Sequence, residues 1–598
     1  MKFFAGLTIL FSVLSLQVSA AQAQAAHLVT RWAADVTPYD VLPEYPRPQL
    51  VREQWLNLNG LWDYAITAKE AAQPSSYDGQ ILVPFPIESY LSGVQKRVDF
   101  KRVWYHRSFS IQDDWAGQRL MLNFGAVDWD ATVYVNGKEV GTHQGGYDVF
   151  SFDITDALKP TGDQIQDLVV SVWDPTEGTQ PHGKQVLSPG SIWYTPTTGI
   201  WQTVWIEPVD PTAHIDSLRI STDIDAGVVK VALLLSDHAT IQMTMQADVM
   251  DGDKVVASLS HRVGEPPEIA VPDAKLWSPD SPFLYNLRVT LQDGNQTLDT
   301  VNSYFGMRKI EMKQDNQGIP QIYLNNLPIF QFGLLDQGFW PDGLYTAPTD
   351  EALRSDIETT KSLGFNLIRK HVKVEPARWY YWADKLGMLV WQDMPSMDDV
   401  LVGQGDGEIK RDADSAANFE HELQQMIDTH SNSPSIIMWV LFNEGWGQYD
   451  TARLTQQFKH YDPTRLVDSA SGWNDFKVGD VQDVHTYPGP DAFQIDYTRA
   501  NLIGEFGGLG LPLEGHTWLA KDSWGYKQYT DVPSLLADYT KMIKRLRSFQ
   551  KERHLVAAIY TQTTDVETEV NGIMTYDREV IKMGADNIKA VNATLFAP

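Results

Sequence analysis

Two glutamates stand where an apolar run of sequence stops: Glu444 in IIMWVLFNEGWGQYD and Glu505 in LIGEFGGLG. A carboxylate in such a place is costly to bury unless it is paired or used. Two carboxylates facing each other across a pocket are the equipment of glycosidic-bond hydrolysis: one protonates the leaving oxygen, and the other attacks the anomeric carbon or activates water. Taken singly, each also fits a structural carboxylate ion-paired at a rim; together, with aromatics around them, they favour the chemical role. Asn443 can hydrogen-bond a sugar hydroxyl beside the reacting carbon, and Trp446 offers a flat face to a ring. Tyr487 can hold the Glu505 carboxylate, and His371 and His485 can donate to substrate hydroxyls. The plainer alternatives are a core tyrosine with a satisfied hydroxyl and neutral histidines capping strands. Asp393, His371 and His485 could also converge on a metal, yet the chain has no HExxH, no His-x-His and no carboxylate repeat of calcium-loop type. Nor does a glycine-rich fingerprint follow a strand and open a helix. No metal and no cofactor is expected.

Such chemistry needs a scaffold that brings positions 444 and 505 together. Beyond residue 312 strands alternate with helices, the mark of a parallel sheet with helical crossovers. Eight strands are expected: IFQFGLLD (329–336), FNLIRK (365–370), MLVWQD (388–393), SIIMWVLFNE (435–444), LVDSAS (466–471), VQDVHTY (481–487), NLIGEFG (501–507) and LVAAIYTQTTD (555–565). Helices fall between most of them, one opened by Thr349-Asp350-Glu351 and closed at Gly364, another opened by Pro376 and closed at Gly387. This is the size and pattern of a (β/α)₈ barrel, whose chemistry sits at the C-terminal strand ends. Glu444 and Glu505 would end strands four and seven and point into one mouth from opposite sides. VIKMGADNIKAVNATLF reads as a final helix.

Upstream the pattern is all-β. From Trp55 to Val209 short alternating runs are separated by turn residues, and TVYV followed by Asn136-Gly137 is a hairpin signature. VVKVALLL, TIQMTMQADV and LYNLRVTL then suit a small immunoglobulin-like sandwich. The expected organisation is a leader over residues 1–25, a β-sandwich over 26–210, an immunoglobulin-like unit over 211–311 and the barrel over 312–598.

The leader reading rests on Lys2, the apolar run Phe3 to Leu16 and the small-residue sites between Ala20 and Ala25, the three parts of a secretory signal peptide. Export to the periplasm or the medium is expected, and no stretch suits a membrane span. The formal charge of −29 disfavours a nucleic-acid partner, and the absence of cysteine excludes disulfides, thiolate metal sites and cysteine nucleophiles. With 20 Trp, 24 Tyr and 23 Phe, the composition is that of an ordered globular chain rich in surfaces for flat ligands such as sugar rings.

These motifs resemble glycoside hydrolase family 2, which includes β-galactosidases, β-glucuronidases and β-mannosidases. WLNLNGLWDYA, VWYHRSF, GGYDVFSFDIT and TTGIWQTVWIEPV are similar to its sugar-binding-like jelly roll, and LWSPDSPFLYNLRVTL with YFGMRKIE to its immunoglobulin-like domain. GFNLIRKH, WADKLGMLVWQDMP, MWVLFNEGWG and LIGEFGG are similar to successive barrel signatures. The resemblance implies an exo-acting retaining mechanism, with Glu444 matching the acid/base and Glu505 the nucleophile. Tyr487 matches the tyrosine that supports the nucleophile, and His371 a substrate-contacting histidine. A negative Glu505 nearby would keep the proton on Glu444 until it is needed.

Departures concern the sugar. Trp193 stands where the family's galactosidases and glucuronidases carry an Asp, and Met397 where metal-dependent galactosidases supply a magnesium carboxylate. Asn571 stands near the place of the glucuronidase-type clamp lysine. LLDQGFWPDG replaces an Arg-His pair, leaving Asp336 and Gln337 as candidate hydroxyl readers, and YTQTTDVE lacks a common tryptophan. The reading that follows is an exported retaining exo-β-glycosidase, β-galactosidase-like, acting on oligosaccharide ends. Alternatives are a β-glucuronidase, β-mannosidase or α-L-arabinosidase, or a non-catalytic carbohydrate-binding protein, to which Trp193 and Gln562 lend support. The oligomeric state is left open, a homo-oligomer included.

Overall fold

The computed structural model describes residues 27–597 apart from 160–164, 237–238, 241, 399–402, 404, 406 and 520. The leader expected over residues 1–25 lies outside the described residues. The first all-β unit packs a four-stranded sheet on a six-stranded one, with Trp62, Tyr105, Leu122, Val133 and Val170 buried between them. Its hairpin runs Asp130–Val135 and Lys138–Gln144 around Asn136 (φ 51°) and Gly137 (φ 77°), the two left-handed positions of a type I′ turn. Alternate residues of Asp130–Val135 are buried, as the TVYV pattern requires. The second all-β unit opposes a three-stranded to a four-stranded sheet around Val229, Val231, Ala247 and Leu287.

The barrel strands are β1 Gln331–Asp336, β2 Leu367–Lys370, β3 Leu389–Asp393, β4 Ile436–Val440, β5 Leu466–Asp468, β6 Val481–Thr486, β7 Ala500–Gly507 and β8 Leu555–Thr561. They form one parallel sheet in the order β5-β4-β3-β2-β1-β8-β7-β6, and β5 abuts β6 to bring the ring near closure. Nearly every strand residue is buried, because helices cover the outside and side chains fill the inside. Leu367, Leu389, Trp391, Met438, Leu502 and Ile559 pack together there, each contributing about 1.5–3 kcal/mol of transfer free energy.

Among the described residues six helices flank the ring: α1 Asp350–Ser362, α2 Ala377–Leu386, α3 Ala413–His430, α4 Thr451–Tyr461, α5 Val532–Glu552 and α6 Ala585–Asn592. Thr349 caps α1 by accepting the Ala352 N–H, at 3.1 Å. Gly387 closes α2 at φ 72°, and a Cβ there would meet the Pro279 carbonyl oxygen at 2.7 Å. Among the described residues β5–β6 and β6–β7 are joined without a helix, so two crossovers depart from the regular alternation. No helix among the described residues is long and apolar enough to cross a membrane.

Candidate active site

Glu505 lies within β7, 4% exposed, whereas Glu444 lies beyond the end of β4 and not on it. The expected strand was too long because its ladders to β3 and β5 both end at Val440. From there the backbone holds to the chain after β5: Ser471 N–H donates to Phe442 O and Glu444 N–H to Ser471 O, both at 2.9 Å. Glu444 itself is left-handed (φ 50°), followed by Gly445 (φ 78°) and Gly447 (φ 63°). A non-glycine residue held there is strained, and such strain concentrates at functional sites.

The turn brings Glu444 to Glu505. An oxygen of each and a ring nitrogen of His485 lie within 4.8 Å of one another. His485 Nδ1 is 2.8 Å from Glu444 Oε1 and 3.6 Å from Glu505 Oε2. Its Nε2 is 2.8 Å from Ser471 Oγ, which donates to Asp483. That donation orients the Ser471 hydroxyl so that its lone pairs accept the His485 Nε2–H. Tyr487 Oη, just past β6, donates to Glu505 Oε2 at 2.5 Å and stacks flat on Tyr526 at 3.6 Å. Arg369, at 3.3 Å, donates to Glu505 Oε1 from Nη1, while its other nitrogens bind Asp393 and, at 2.8 Å, Asn443 Oδ1.

These contacts set the charges. Burial pushes the Glu505 carboxyl up, but the imidazoles of His485 and His371 and the charges of Arg369 and Lys184 outweigh it and bring it down to about 2. Burial pulls His485 down, and the carboxylates of Glu505, Glu444 and Asp483 more than reverse this, raising it above its ordinary 6.5. Burial and Lys184 hold His371 well below its usual range. Asp468 is pushed far up by burial and by the nearby Asp483 carboxyl, and burial raises Asp483 as well.

The other expected site residues fall as follows. Asn443 is buried with its Nδ2 unpartnered, a donor free for a sugar hydroxyl beside Glu444. Trp446 packs against Trp193 at 5.1 Å and faces His371 at 6.2 Å. His371 Nδ1 is 2.9 Å from Asp393 Oδ2, and the neutral ring donates through it. In that tautomer its Nε2 is the acceptor. Asp336 is engaged by Lys370 Nζ and the Gly338 N–H, each at 2.9 Å. Gln337 donates to Gln562, Gln562 to Asn571 and Asn571 to Glu569, at 2.8, 2.7 and 2.9 Å, a closed run of amides along one rim.

Asp393, His371 and His485 do not converge on a vacant centre, because the Arg369 guanidinium lies between Asp393 and His485 Nε2, 2.9 and 3.3 Å away. The trio Glu444, His485 and Glu505 has ligand-type atoms close enough for a cation. Its closest pair, at 2.8 Å, is at hydrogen-bond separation, tighter than the roughly 3.3 Å between two ligands on a tetrahedral ion with bonds of about 2.0–2.1 Å.

Arg369, Ser471, Asp483, Tyr526 and Lys184 escaped the reading of the sequence. Arg369 was open to the argument applied to the glutamates, being, with Lys370, a charge that ends an apolar run inside a buried strand. The β-sandwich also reaches in: Tyr194 Oη donates to Glu569, and Thr195 N–H donates to Glu567 Oε1 at 2.9 Å.

Three family models match in succession: glycosyl hydrolases family 2, sugar binding domain, over residues 45–204; glycosyl hydrolases family 2 over 213–308; and glycosyl hydrolases family 2, TIM barrel domain, over 345–505. The chain is similar to a β-glucuronidase of Bacteroides fragilis, 28% identical over 400 residues that take in 63% of this chain and 55% of that one. It is also similar to a β-galactosidase of Thermoanaerobacter pseudethanolicus, 25% identical over 450 residues, 72% of this chain and 57% of that one. It thus spans little more than half the length of these curated relatives. In fold it matches a β-D-glucuronidase from Dictyoglomus thermophilum, with a TM-score of 0.73 at 20% identity, covering 93% of this chain and 99% of that one. The chain belongs to glycoside hydrolase family 2.

Proposed function

We propose that this protein is an exported, retaining exo-β-glycosidase that uses Glu505 as nucleophile and Glu444 as acid and then base. The observation that carries the reading is the pair of buried carboxylates with oxygens within 4.8 Å, close to the spacing of about 5–5.5 Å at which a carboxylate attacks the sugar directly and leaves no room for an intervening water. Glu505 is ionised and aimed by Tyr487 and Arg369. It attacks the anomeric carbon as the bond to the leaving oxygen breaks, and that oxygen takes the proton shared by Glu444 and His485. Once glycosylated, Glu505 no longer carries charge, and Glu444 removes a proton from the water that releases the sugar.

The exo character is supported by the β-sandwich segment Trp193 to Thr195, which packs on Trp446 and binds Glu567 and Glu569, closing one side of the mouth. Export rests on the N-terminal run of the sequence. The names of the relatives make a neutral galactose-type glycone and an acidic glucuronic-type glycone the first two to test. Replacing Glu505 or Glu444 by Ala is expected to cut turnover of an aryl β-glycoside by at least ~10⁴-fold. Azide then restores Glu505→Ala as a glycosyl azide of inverted configuration. Near-normal turnover in either variant would sink the assignment.

A further inference from the structure

Lys184 comes to the mouth from the β-sandwich. Its backbone is locked in place: its carbonyl accepts the Tyr194 N–H at 2.9 Å, and the neighbouring Gln185 side chain donates to Asp128 Oδ2, also at 2.9 Å. On the other side Gly183 (φ 59°) lies so close to the barrel that a Cβ would meet the Val372 carbonyl oxygen at 2.5 Å. The side chain is 5% exposed, and its ammonium stands 5.7 Å from the Tyr194 ring and 5.9 Å from that of Trp446. Its charge reaches Glu505, His371 and Glu569 at longer range.

Among the described residues this ammonium has no hydrogen-bond acceptor and no carboxylate within 4.0 Å. Neighbouring buried cations are all engaged: Arg369 by Asp393 at 2.9 Å, Lys370 by Asp336 and Glu375 at 2.9 and 2.8 Å, Lys373 by Glu375 at 3.0 Å and Lys582 by Asp565 at 2.6 Å. An ammonium without an acceptor of its own is available to an anion, and two aromatic faces at nearly 6 Å hold it only weakly. The carboxylates within its reach are already held, Glu505 by Tyr487 and Arg369, and Glu569 by Tyr194 and Asn571. On the rim of Gln337, Gln562 and Asn571 only neutral amides stand, so Lys184 is the cation that awaits an anion.

We infer that Lys184 binds an anionic oxygen group, a carboxylate or a sulfate ester, carried by the sugar whose anomeric carbon faces Glu505. The β-sandwich, not the barrel, then selects acidic over neutral glycones. This rests on the glycosidase reading above, but binding tests it separately from turnover.

Calorimetry on the full chain compares D-glucuronate with D-glucose, and galactose 6-sulfate with galactose; the matching aryl glycosides are compared by kcat/KM. In at least one pair the wild type is expected to favour the acidic member by about 100-fold in kcat/KM, the scale of one buried charge pair. Lys184→Met is expected to erase that preference, the acidic member losing about 100-fold more than the neutral one, and Lys184→Arg to keep part of it. The pair that responds separates carboxylate from sulfate. A wild type that favours the neutral sugar in both pairs, or a Lys184→Met that weakens both members alike with an unchanged melting profile, overturns the inference. If Lys184→Met does not fold, Lys184→Gln is read the same way. Loss of turnover in every aryl glycoside with the acidic preference intact in binding would count against the glycosidase reading alone.

Discussion

Buried arginines hold both ends of the barrel, and the two ends use them differently. At the N-terminal end Arg308, near the end of the immunoglobulin-like unit, donates to the carbonyls of Pro434, Thr464 and Ile436 at 3.1, 2.9 and 2.8 Å. Arg465 beside it donates to Ile436 O and Ser433 O at 3.1 and 2.8 Å. At the C-terminal end Arg369 binds the carboxylates of Asp393 and Glu505 and the amide of Asn443, the neighbour of Glu444. Carbonyl partners have a fixed charge, so Arg308 can only fasten the upstream unit to the barrel floor. Carboxylate and imidazole partners exchange protons and form covalent bonds, so the contacts of Arg369 change strength as a reaction proceeds. The same residue type is a fastener at one end and part of the chemistry at the other.

The sharpest break in that contrast would come from Arg369→Met. It leaves Asp393 and Glu505 buried without their counterion, which is expected to cost about 3–5 kcal/mol of stability. Because Glu505 also loses its aim, kcat should fall by about 10²–10³-fold beyond any loss of folded protein. Urea midpoints read beside active-site titration measure the two effects apart. A variant that is merely less stable, with kcat intact, would make the mouth a fastener like the floor.

Arg308→Leu is the complementary change, with a smaller total effect. Three carbonyls lose their donor, for an expected cost of about 2–4 kcal/mol, while kcat/KM per folded molecule stays within about twofold. A large fall in kcat with little loss of stability would show that the floor is coupled to the reaction.

What the sequence disclosed follows the same division. The strands were legible to within a few residues because a strand buried on both sides is written as an apolar run, and α1 and α2 because Thr349 and Gly387 carry the capping chemistry in their own side chains or lack of one. Glu444 was misplaced onto its strand because NEGWG carries no mark of where the ladders to β3 and β5 end. Asp336 and Gln337 were singled out only by the resemblance, as what stands in place of an Arg-His pair, and their partners Lys370 and Gln562 are fixed by the closing of the ring. Lys184 gave no sign at all: what makes it notable is the absence of a partner in space, and it approaches Trp446 only because one domain folds over the mouth of another.

The smallest expected effect tests the chain of contacts behind Glu444. With Ser471 donating to Asp483, the His485 Nε2–H has an acceptor and Nδ1 faces Glu444, so the imidazolium is stabilised from both sides. A raised histidine is charged below its folded value, so this stabilisation is fully present below the ordinary 6.5 and is lost as pH rises through the raised one. Glu505, held at about 2, stays ionised throughout that window; the stability it contributes is lost only in acid, as pH falls through about 2. Ser471→Ala removes the acceptor of Nε2–H while Glu505, Glu444, Asp483 and Arg369 still face the ring. The basic limb of kcat/KM should therefore move to lower pH by up to about one unit, the equivalent of about 1.4 kcal/mol. The shift should appear with an alkyl or weakly activated aryl leaving group, which needs the proton, and vanish with a dinitrophenyl one, which does not. A uniform loss across both leaving groups with an unmoved limb would mean that Ser471 only packs, and that the mouth governs its proton through Glu444 and Glu505 alone.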